Sequence, residues 1–297
     1  MSLSRWFPNE LPETVGGYTD DLYLAADAAL RGGEAAMRHY GTGSLEVSDK
    51  GHNDPVTEAD RAANRAILEL LSVERPADVV LSEESPPPAA DQRSRRLWVV
   101  DPLDGTKEFI ALNGEFCVMV GLAEGGAAVL GAVYQPDPQL LYFGIVTGGA
   151  WIVDLADPKP TAVPLVATEG GAPPLRVVES RSHPDERLRQ LERDLGEVRV
   201  VRSGSVGIKC ALVARGLADL YVHPVPFLKE WDTCAPEAIL RGAGGRVTDC
   251  AGETLAYGKP NPPQPGGIFA ACADVWVSVA PIVRRVAAPL FADGSGR

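Results

Sequence analysis

The sequence predicts an α+β half followed by an α/β half, and two patterns lead to that prediction. Between residues 117 and 153, four apolar strand-like runs follow one another with short Gly and Pro turns, which is typical of an antiparallel meander. From residue 175 onwards, strand-like and helix-like segments alternate, which is typical of an α/β layer. The chain has 297 residues, of which 45% are apolar and 23% charged, so it can bury a substantial core.

The stretch between these two patterns predicts a domain boundary. Residues 155–174 are rich in Pro and Gly and have little periodicity. We therefore expect an irregular N-terminal arm over residues 1–18, an N-terminal subdomain over residues 19–160 and a C-terminal subdomain over residues 161–297.

In the N-terminal half, apolar residues at helical spacing predict helices over residues 19–40 and 57–73. Pro102 is expected to disfavour regular pairing beyond the strand that precedes it, because proline cannot donate to a ladder. The predicted strands in this half are 45–47, 79–81, 97–100, 117–122, 127–134, 140–145 and 150–153.

In the C-terminal half, the same reasoning predicts three helices, and the last of them would begin at a loop that contains Asp232. A terminal strand is expected near residues 275–279. The helices predicted in this half are 184–195, 207–215 and 234–241, and the other strands are 175–178, 198–201 and 218–222.

Composition excludes several classes of function. The net charge of −12 argues against binding to nucleic acid or to an anionic membrane. The apolar stretch 268–291 contains Asp274, Arg284 and Arg285, so we expect no membrane insertion. Residues 1–10 include charges and a proline that are untypical of a signal peptide. The five cysteines are scattered without a Cys-x-x-Cys motif, so we expect neither disulfides nor a zinc site, and a cytoplasmic location.

The central motif is the decapeptide 101–110, Asp-Pro-Leu-Asp-Gly-Thr-Lys-Glu-Phe-Ile, which follows an apolar strand. It places Asp101 and Asp104 at the carboxyl end of that strand, just before a possible helix start at Gly105 and Thr106. Carboxylates bind hard cations, and free N–H groups at a helix start bind phosphate. The motif therefore predicts a metal-dependent phosphate site, although an isolated Asp-x-x-Asp is more often a turn with an Asp cap. In so acidic a chain, cations would have to separate the carboxylates from a phosphorylated substrate.

Three other acidic positions have both a structural and a functional interpretation. Asp60 stands three residues after Thr57, so it fits a capping box at the start of a helix. Glu83 and Glu84 follow a short buried strand, and they are either two exposed acids or, for Glu83, a functional group at a strand end with Glu84 in a structural or supporting position. Asp232 lies before a helix, where it is either a cap or a further carboxylate of the metal site.

The segment 203–209, Ser-Gly-Ser-Val-Gly-Ile-Lys, indicates an anion site only weakly. Small residues before a helix leave its first N–H groups open, and Lys209 adds a positive charge. His183 is a second candidate contact for an anion, but it is about as well explained as a polar residue at a helix start.

The decapeptide, together with the segments around Glu83 and Asp232, resembles the lithium-sensitive, magnesium-dependent phosphatase superfamily of inositol monophosphatase and fructose-1,6-bisphosphatase. The string Asp-Gly-Thr-Lys-Glu-Phe, together with Trp-Asp-Thr-Cys-Ala-Pro-Glu, looks like the 3'(2'),5'-bisphosphate nucleotidase branch. The resemblance runs from about Asp20 to Asp274, and it implies a layered α-β-α-β-α sandwich of two subdomains.

The resemblance also implies a site for two Mg²⁺ ions. One ion would be held by Glu83, Asp101 and the Leu103 carbonyl. The other would be held by Asp101, Asp104 and Asp232, so that Asp101 bridges the two. The family also has a weaker third ion near the position of Glu83.

Roles for the remaining candidates come from the same resemblance. Asp60 would hold the hydroxyl of Thr106, which in turn would orient the attacking water, and Glu83 would help to polarise that water. The N–H groups of Gly105 and Thr106 would cradle the reacting phosphate.

The second, non-reacting phosphate and the nucleoside would lie near the 203–209 segment. The expected contacts there are Gly204, Ser205 and Lys209, together with His183.

The function implied is hydrolysis of the 3'-phosphate of adenosine 3',5'-bisphosphate to AMP and phosphate, as in recycling of this nucleotide during sulfur assimilation. A phosphatase of inositol or sugar phosphates is the alternative with the same chemistry, and a non-catalytic nucleotide sensor is the alternative of another class. The Lys107-Glu108-Phe109 string favours the nucleotide, and the complete set of acids argues against a sensor. We expect a small-molecule nucleotide as the partner, whereas the oligomeric state stays open.

Overall fold

The computed structural model describes residues 17–42, 47–49, 55–89, 96–167, 170–182, 186–259 and 263–292. The helices in this part of the chain are α1 (Thr19–Met37), α2 (Glu58–Glu74), α3 (Thr106–Ile110), α4 (Glu186–Leu195), α5 (Val206–Ala214), α6 (Glu230–Gly242) and α7 (Ala273–Ala292). The strands are β1 (Val47–Asp49), β2 (Pro55–Thr57), β3 (Val79–Ser82), β4 (Leu97–Asp104), β5 (Cys117–Glu124), β6 (Ala127–Gln135), β7 (Leu140–Ile145), β8 (Gly149–Asp154), β9 (Val163–Pro164), β10 (Leu175–Ser180), β11 (Val198–Ser203), β12 (Leu220–His223), β13 (Arg246–Thr248) and β14 (Ile268–Ala271).

Two large sheets organise the chain. The first has seven strands in the order β3-β4-β5-β6-β7-β8-β9, and only its β3–β4 pair is parallel. The second has five strands in the order β11-β10-β12-β14-β13, with β10 parallel to both β11 and β12. A small antiparallel pair, β1-β2, precedes α2. The predicted meander and the mixed α/β half are both confirmed.

The helices cover the sheets in layers. Helices α1 and α2 pack together on one face of the seven-stranded sheet, while α5 and α6 pack on strands of both sheets. Helices α4 and α7 pack against each other, and α7 contacts β12 and β14 of the second sheet. This order gives the predicted α-β-α-β-α sandwich. Buried Trp98 and Phe143 belong to the core under α1, whereas the core around α5 and α6 draws residues from both sheets.

Two glycines let α6 lie directly on the seven-stranded sheet. A Cβ on Gly121 of β5 would lie 2.7 Å from Cys234 Sγ and 2.9 Å from the Ala235 nitrogen. A Cβ on Gly131 of β6 would lie 2.5 Å from both the Cα and the carbonyl oxygen of Ala235. Because larger residues would push α6 away, these glycines set the height of the helix that carries Asp232.

Strand β4 continues through Pro102, which the sequence-based boundary at residue 100 missed. Its pairing with β5 is interrupted between Asp101 and Asp104 and resumes where Asp104 faces Cys117. A proline fits such a bulge because no ladder donor is needed there. The bulge is therefore part of the segment that carries both aspartates.

The predicted terminal strand at residues 275–279 is wrong, because these residues belong to α7. The valines suggested a strand, but burial follows the helical period: Val275 and Val279 are buried, whereas Val277 is 62% exposed. Strand β14 ends just before this helix. Among the described helices, α7 included, none combines the length and the apolar character that a membrane span requires.

Helix α6 begins at Glu230, earlier than predicted, because Asp232 caps it from inside its first turn. The Asp232 carboxylate accepts the Lys229 amide at 2.6 Å, as in a capping box. Pro236 therefore stands inside the helix.

Some boundaries fall on residues outside the described ranges. Those residues include 1–16 of the predicted arm, 45–46 of the first predicted strand and 184–185 of the predicted fourth helix. Helix α1 ends at Met37, before the predicted end at residue 40. Strand β9 pairs with β8 beyond the predicted subdomain boundary at residue 160, so the first sheet extends to Pro164. The subdomain division stays a prediction.

Candidate metal centre

Three aspartates from distant parts of the chain meet in one cluster. Asp101 and Asp104 lie in the second half of strand β4, of which Asp104 is the last residue, and Asp232 lies in the first turn of α6. One carboxylate oxygen from each of them lies within 4.8 Å of the other two. Asp101 is only 1% exposed, while the other two are partly buried. The structure thus brings together three of the predicted metal ligands.

The cluster is electrostatically unfavourable for carboxylates alone. Burial raises the pKa of Asp101 well above its usual value, and the charges of Glu83, Asp104 and Asp232 raise it further. Burial and the charge of Asp104 likewise raise the pKa of Asp232, although the Lys229 amide opposes the shift. A bound divalent cation would offset both the cost of burying these negative charges and the repulsion between them.

Glu83 lies beside the cluster rather than inside it. It follows β3, and its amide donates to the Val100 carbonyl at 3.2 Å, which fixes it next to β4. Its charge contributes to the raised pKa values of both Asp101 and Asp232. Glu83 therefore lies near the three aspartates, and its role as a metal ligand stays a prediction.

The Asp101 side chain accepts a hydrogen bond from the backbone within the bulge of β4. The Leu103 amide donates to Asp101 Oδ1 at 3.0 Å. The Leu103 carbonyl, a predicted ligand, lies 3.2 Å from the Thr106 hydroxyl oxygen. The hydrogen bond from Leu103 to Asp101 keeps this turn compact and leaves the Leu103 carbonyl beside Thr106.

Asp60 serves two structural purposes at once. Its Oδ2 accepts the amide of Thr57 at 2.7 Å and the hydroxyl of Thr57 at 2.6 Å, which forms the predicted capping box of α2. Its Oδ1 lies 3.2 Å from the hydroxyl oxygen of Thr106. Burial raises the pKa of Asp60, and the hydrogen bonds from Thr57 partly offset this. The predicted Asp60–Thr106 pair is present, together with the cap.

Gly105 makes the turn from β4 into α3. Its φ of +95° is left-handed, and a Cβ would lie 2.9 Å from the Glu115 carbonyl oxygen. Thr106 is the first residue of α3. Glycine is therefore favoured at position 105 for steric reasons. The turn places Thr106 next to Asp60.

The start of α5 is bound to protein carboxylates. The Ser205 hydroxyl donates to Asp104 Oδ2 at 2.5 Å, and the Gly207 amide donates to the same oxygen at 3.0 Å. The Gly204 amide donates to Glu115 at 2.7 Å. The predicted phosphate donors Gly204 and Ser205 thus have acceptors within the protein.

Lys209, also predicted as a phosphate contact, is only 4% exposed. Its ammonium lies 5.3 Å from the centre of the Tyr221 ring. Burial lowers the pKa of Lys209, while the charges of Asp104 and Glu108 oppose this. His183, the remaining predicted contact, lies outside the described residues.

Four residues near α5 were not singled out from the sequence. The Arg181 guanidinium donates to both carboxylate oxygens of Glu115 at 2.6 Å, and the Ser182 hydroxyl donates to Glu108. These pairs join the segment around α3 to the end of β10. Because their partners are 66 and 74 residues apart, no local pattern could have indicated them.

Comparison with known proteins identifies one family and one group of similar enzymes. Residues 19–277 match the inositol monophosphatase family. The chain is 43% identical over 231 residues to the 3'(2'),5'-bisphosphate nucleotidase CysQ of Salmonella typhimurium, covering 77% of this chain and 90% of that protein. It is 42% identical over 231 residues to CysQ of Escherichia coli strain K12, with the same coverage.

A crystal structure of a similar protein has the same fold. CysQ from Bacteroides thetaiotaomicron, described as a bacterial member of the inositol monophosphatase family, is 35% identical to this chain. The two superimpose with a TM-score of 0.72, over 86% of this chain and 98% of that one.

Proposed function

The chain belongs to the inositol monophosphatase family, and we propose that it is a 3'(2'),5'-bisphosphate nucleotidase that uses Mg²⁺. Its substrate would be adenosine 3',5'-bisphosphate, converted to AMP and phosphate, and its role would be to recycle this nucleotide in sulfur assimilation. The names of the similar CysQ proteins support the activity. The observation that carries the proposal is the three-aspartate cluster within 4.8 Å.

The residues present fit the proposed ions. All the donors are carboxylate or carbonyl oxygens, which suit Mg²⁺, and the raised pKa values of Asp101 and Asp232 indicate a demand for positive charge. One ion would be held by Glu83, Asp101 and the Leu103 carbonyl, and another by Asp101, Asp104 and Asp232. When bound, such ions lower the pKa of water and stabilise negative charge on the leaving oxygen. A weaker third ion near Glu83 is part of the proposal.

The chain's own contribution to the reaction would be to orient water and phosphate. With the Thr106 proton directed to Asp60 Oδ1, a lone pair of the Thr106 hydroxyl can accept a hydrogen bond from the attacking water. The amides of Gly105 and Thr106, at the start of α3, would hold the phosphate oxygens. Glu83 would help to withdraw the proton from the water. No covalent intermediate with the protein is needed, because the aspartates would act as ligands.

The non-reacting phosphate would bind on the side of α5. Lys209 would supply the positive charge there, and His183 would add a further contact. Gly204 and Ser205 would shape this side of the site, and a direct contact to phosphate would require their donors to exchange partners.

We place the enzyme in the cytoplasm. All five cysteines are buried thiols without disulfides, as expected in a reducing compartment. The partner would be the small-molecule nucleotide alone.

The experiment that tests the proposed function is a phosphate-release panel. Purified protein is incubated with adenosine 3',5'-bisphosphate, inositol 1-phosphate or fructose 1,6-bisphosphate at equal concentration, with Mg²⁺ or with EDTA. We expect Mg²⁺-dependent release that is fastest with the nucleotide. Faster release from inositol 1-phosphate would make it an inositol phosphatase, and nucleotide binding without any release would make it a sensor.

A further inference from the structure

The carboxylate of Asp104 is held from one side by the start of α5. Its Oδ2 accepts the Ser205 hydroxyl at 2.5 Å and the Gly207 amide at 3.0 Å. In the part of the chain that the structure describes, no hydrogen bond reaches Oδ1 of Asp104. One oxygen is therefore fixed by the protein, which leaves the other to bind a cation shared with Asp101 and Asp232.

Ser205 adopts a backbone conformation that side chains rarely take. Its φ is +54° and its ψ is 135°, which is strained for a residue other than glycine. Its hydroxyl also accepts the Ile208 amide at 3.2 Å and so caps α5. Capping alone does not require this conformation, because a serine cap normally has extended backbone. Beyond capping, the same hydroxyl reaches Asp104 and lies 3.1 Å from Cys117 Sγ.

Glu115 holds Gly204, the residue before Ser205. Its Oε2 accepts the Gly204 amide at 2.7 Å, and both of its oxygens accept the Arg181 guanidinium at 2.6 Å. Burial raises the pKa of Glu115, but Arg181 and the Gly204 amide outweigh it and hold the pKa below its usual value. Glu115 is therefore a charged acceptor that fixes the peptide leading into Ser205.

Gly204 fits its place with no space to spare. A Cβ at this position would lie 2.5 Å from Glu108 Cγ and 2.7 Å from the Glu115 carbonyl oxygen. The segment before α5 is thus packed against α3 and the loop that follows it. A shift of Glu115 would move Gly204, and with it the hydroxyl of Ser205.

We propose that Ser205 is a positioning residue for Asp104, and that the Glu115–Arg181 pair holds Ser205 in place. Together they orient the unbound oxygen of Asp104 towards the ion that it shares with Asp101 and Asp232. The inference rests on the proposed function only for the presence of a divalent ion, and it assigns Ser205 to the metal side of the site rather than to the nucleotide.

The test is calorimetric titration of the metal-free, full-length protein with Mg²⁺ in the absence of substrate. The main variant is Ser205→Gly, because glycine accepts the positive φ while the hydroxyl is lost together with its methylene carbon. We expect its affinity for Mg²⁺ to fall about 10-fold to 100-fold, the usual effect of losing a residue that orients a metal ligand. Ser205→Ala should show at least the same loss. The thermal unfolding temperature in EDTA shows that each variant is folded.

The Glu115–Arg181 pair is tested by Glu115→Gln, with Arg285→Gln as the matched control. Arg285 forms an ion pair with Asp194 at 2.9 Å that, like the pair of Arg181, joins distant parts of the chain. We expect Glu115→Gln to weaken Mg²⁺ binding and Arg285→Gln to leave it unchanged. The ratio of kcat at saturating Mg²⁺ to kcat at limiting Mg²⁺ should rise only in the first variant, because added ion compensates for a misplaced ligand.

The outcomes are distinct. If the wild-type protein binds Mg²⁺ and Ser205→Gly, folded in EDTA, binds it equally well, the positioning role is overturned while the proposed function stands. If Mg²⁺ affinity depends on Ser205 but the nucleotide is not hydrolysed, the inference stands and the proposed substrate falls. A wild-type protein that binds no divalent ion overturns both.

Discussion

The hydroxyl oxygen of Thr106 lies 3.2 Å from Oδ1 of Asp60, a residue 46 positions earlier in the chain. Asp60 is held in turn by the amide and hydroxyl of Thr57 at the start of α2. The cap of one helix therefore fixes a carboxylate that can accept the Thr106 proton. This contact supports the proposal, which came from the family resemblance, that Thr106 orients the attacking water.

Thr106→Ala should reduce kcat by about 10²-fold to 10⁴-fold, because the water would lose the group that accepts its hydrogen bond. KM should change little, since the ion ligands are untouched. Thr106→Ser is the matched control: it keeps the hydroxyl and should retain most of the activity. Steady-state phosphate release measures both variants. A loss below about threefold in Thr106→Ala would show that the water is oriented elsewhere.

Gly131→Ala should destabilise the protein by about 1–3 kcal/mol, the usual cost of overpacking. The added Cβ would lie 2.5 Å from Ala235 and would push α6 off the sheet. Because α6 carries Asp232, Mg²⁺ affinity should fall as well. Chemical denaturation and metal titration measure the two effects. The control is Gly17→Ala, where nothing lies within 4 Å of the new Cβ; equal behaviour of the two variants would contradict the packing argument.

Tyr221→Phe should stabilise the protein by about 1 kcal/mol. The Tyr221 hydroxyl is buried and has no hydrogen-bond partner within the described part of the chain, so its removal costs no contact. Burial also raises the pKa of this hydroxyl well above its usual value, which is consistent with a dry environment. Urea denaturation measures the change. A clear decrease in the free energy of unfolding would mean that the hydroxyl has a partner after all.

The raised pKa of Glu179 predicts that the stability of the fold depends on pH. Burial and a hydrogen bond with Glu192 raise the pKa of Glu179 from 4.5 to about 7. The folded protein therefore binds this proton more tightly than the unfolded chain. The stability that protonation provides is present below pH 4.5 and is lost as the pH rises through about 7.

Glu179→Gln should therefore raise the Tm at pH 8, by about 2 °C once solvent screening is allowed for, and should change it much less at pH 5. Glu192→Gln should act in the same direction, because it removes the neighbouring charge. Thermal unfolding at the two pH values measures the effect. An equal shift of Tm at both pH values would point to a packing effect instead of ionisation.

The sequence was most informative where one local segment contains both the strand and the ligands. Asp101 and Asp104 could be placed at a strand end from the decapeptide alone, and the capping box of Asp60 was visible as Thr57 followed three residues later by an acid. Burial of the strand and cap geometry are local properties, so local patterns predict them. Asp232 was identified as a metal ligand through the family resemblance. Its proximity to Asp101 depends on how α6 packs on Gly121 and Gly131.

The errors and omissions come from tertiary contacts, which local sequence patterns do not record. Val275 and Val279 suggested a strand because β-branched residues favour strands, but the packing of α7 on the second sheet decided otherwise. The contacts of Ser205 with Asp104 and of Glu115 with Arg181 join residues 101 and 66 positions apart. Long-range contacts of this kind leave no periodic pattern, so only the folded structure reveals them.

The most direct test of the metal-centre assignment compares wild-type protein with Asp101→Asn in one assay of phosphate release from adenosine 3',5'-bisphosphate, with Mg²⁺ titrated from zero. The account predicts Mg²⁺-dependent release by the wild type and none by the variant. It also predicts that the variant has a higher Tm in EDTA, because it removes a buried charge from a crowded cluster. Near-normal, Mg²⁺-dependent release by Asp101→Asn would contradict the account.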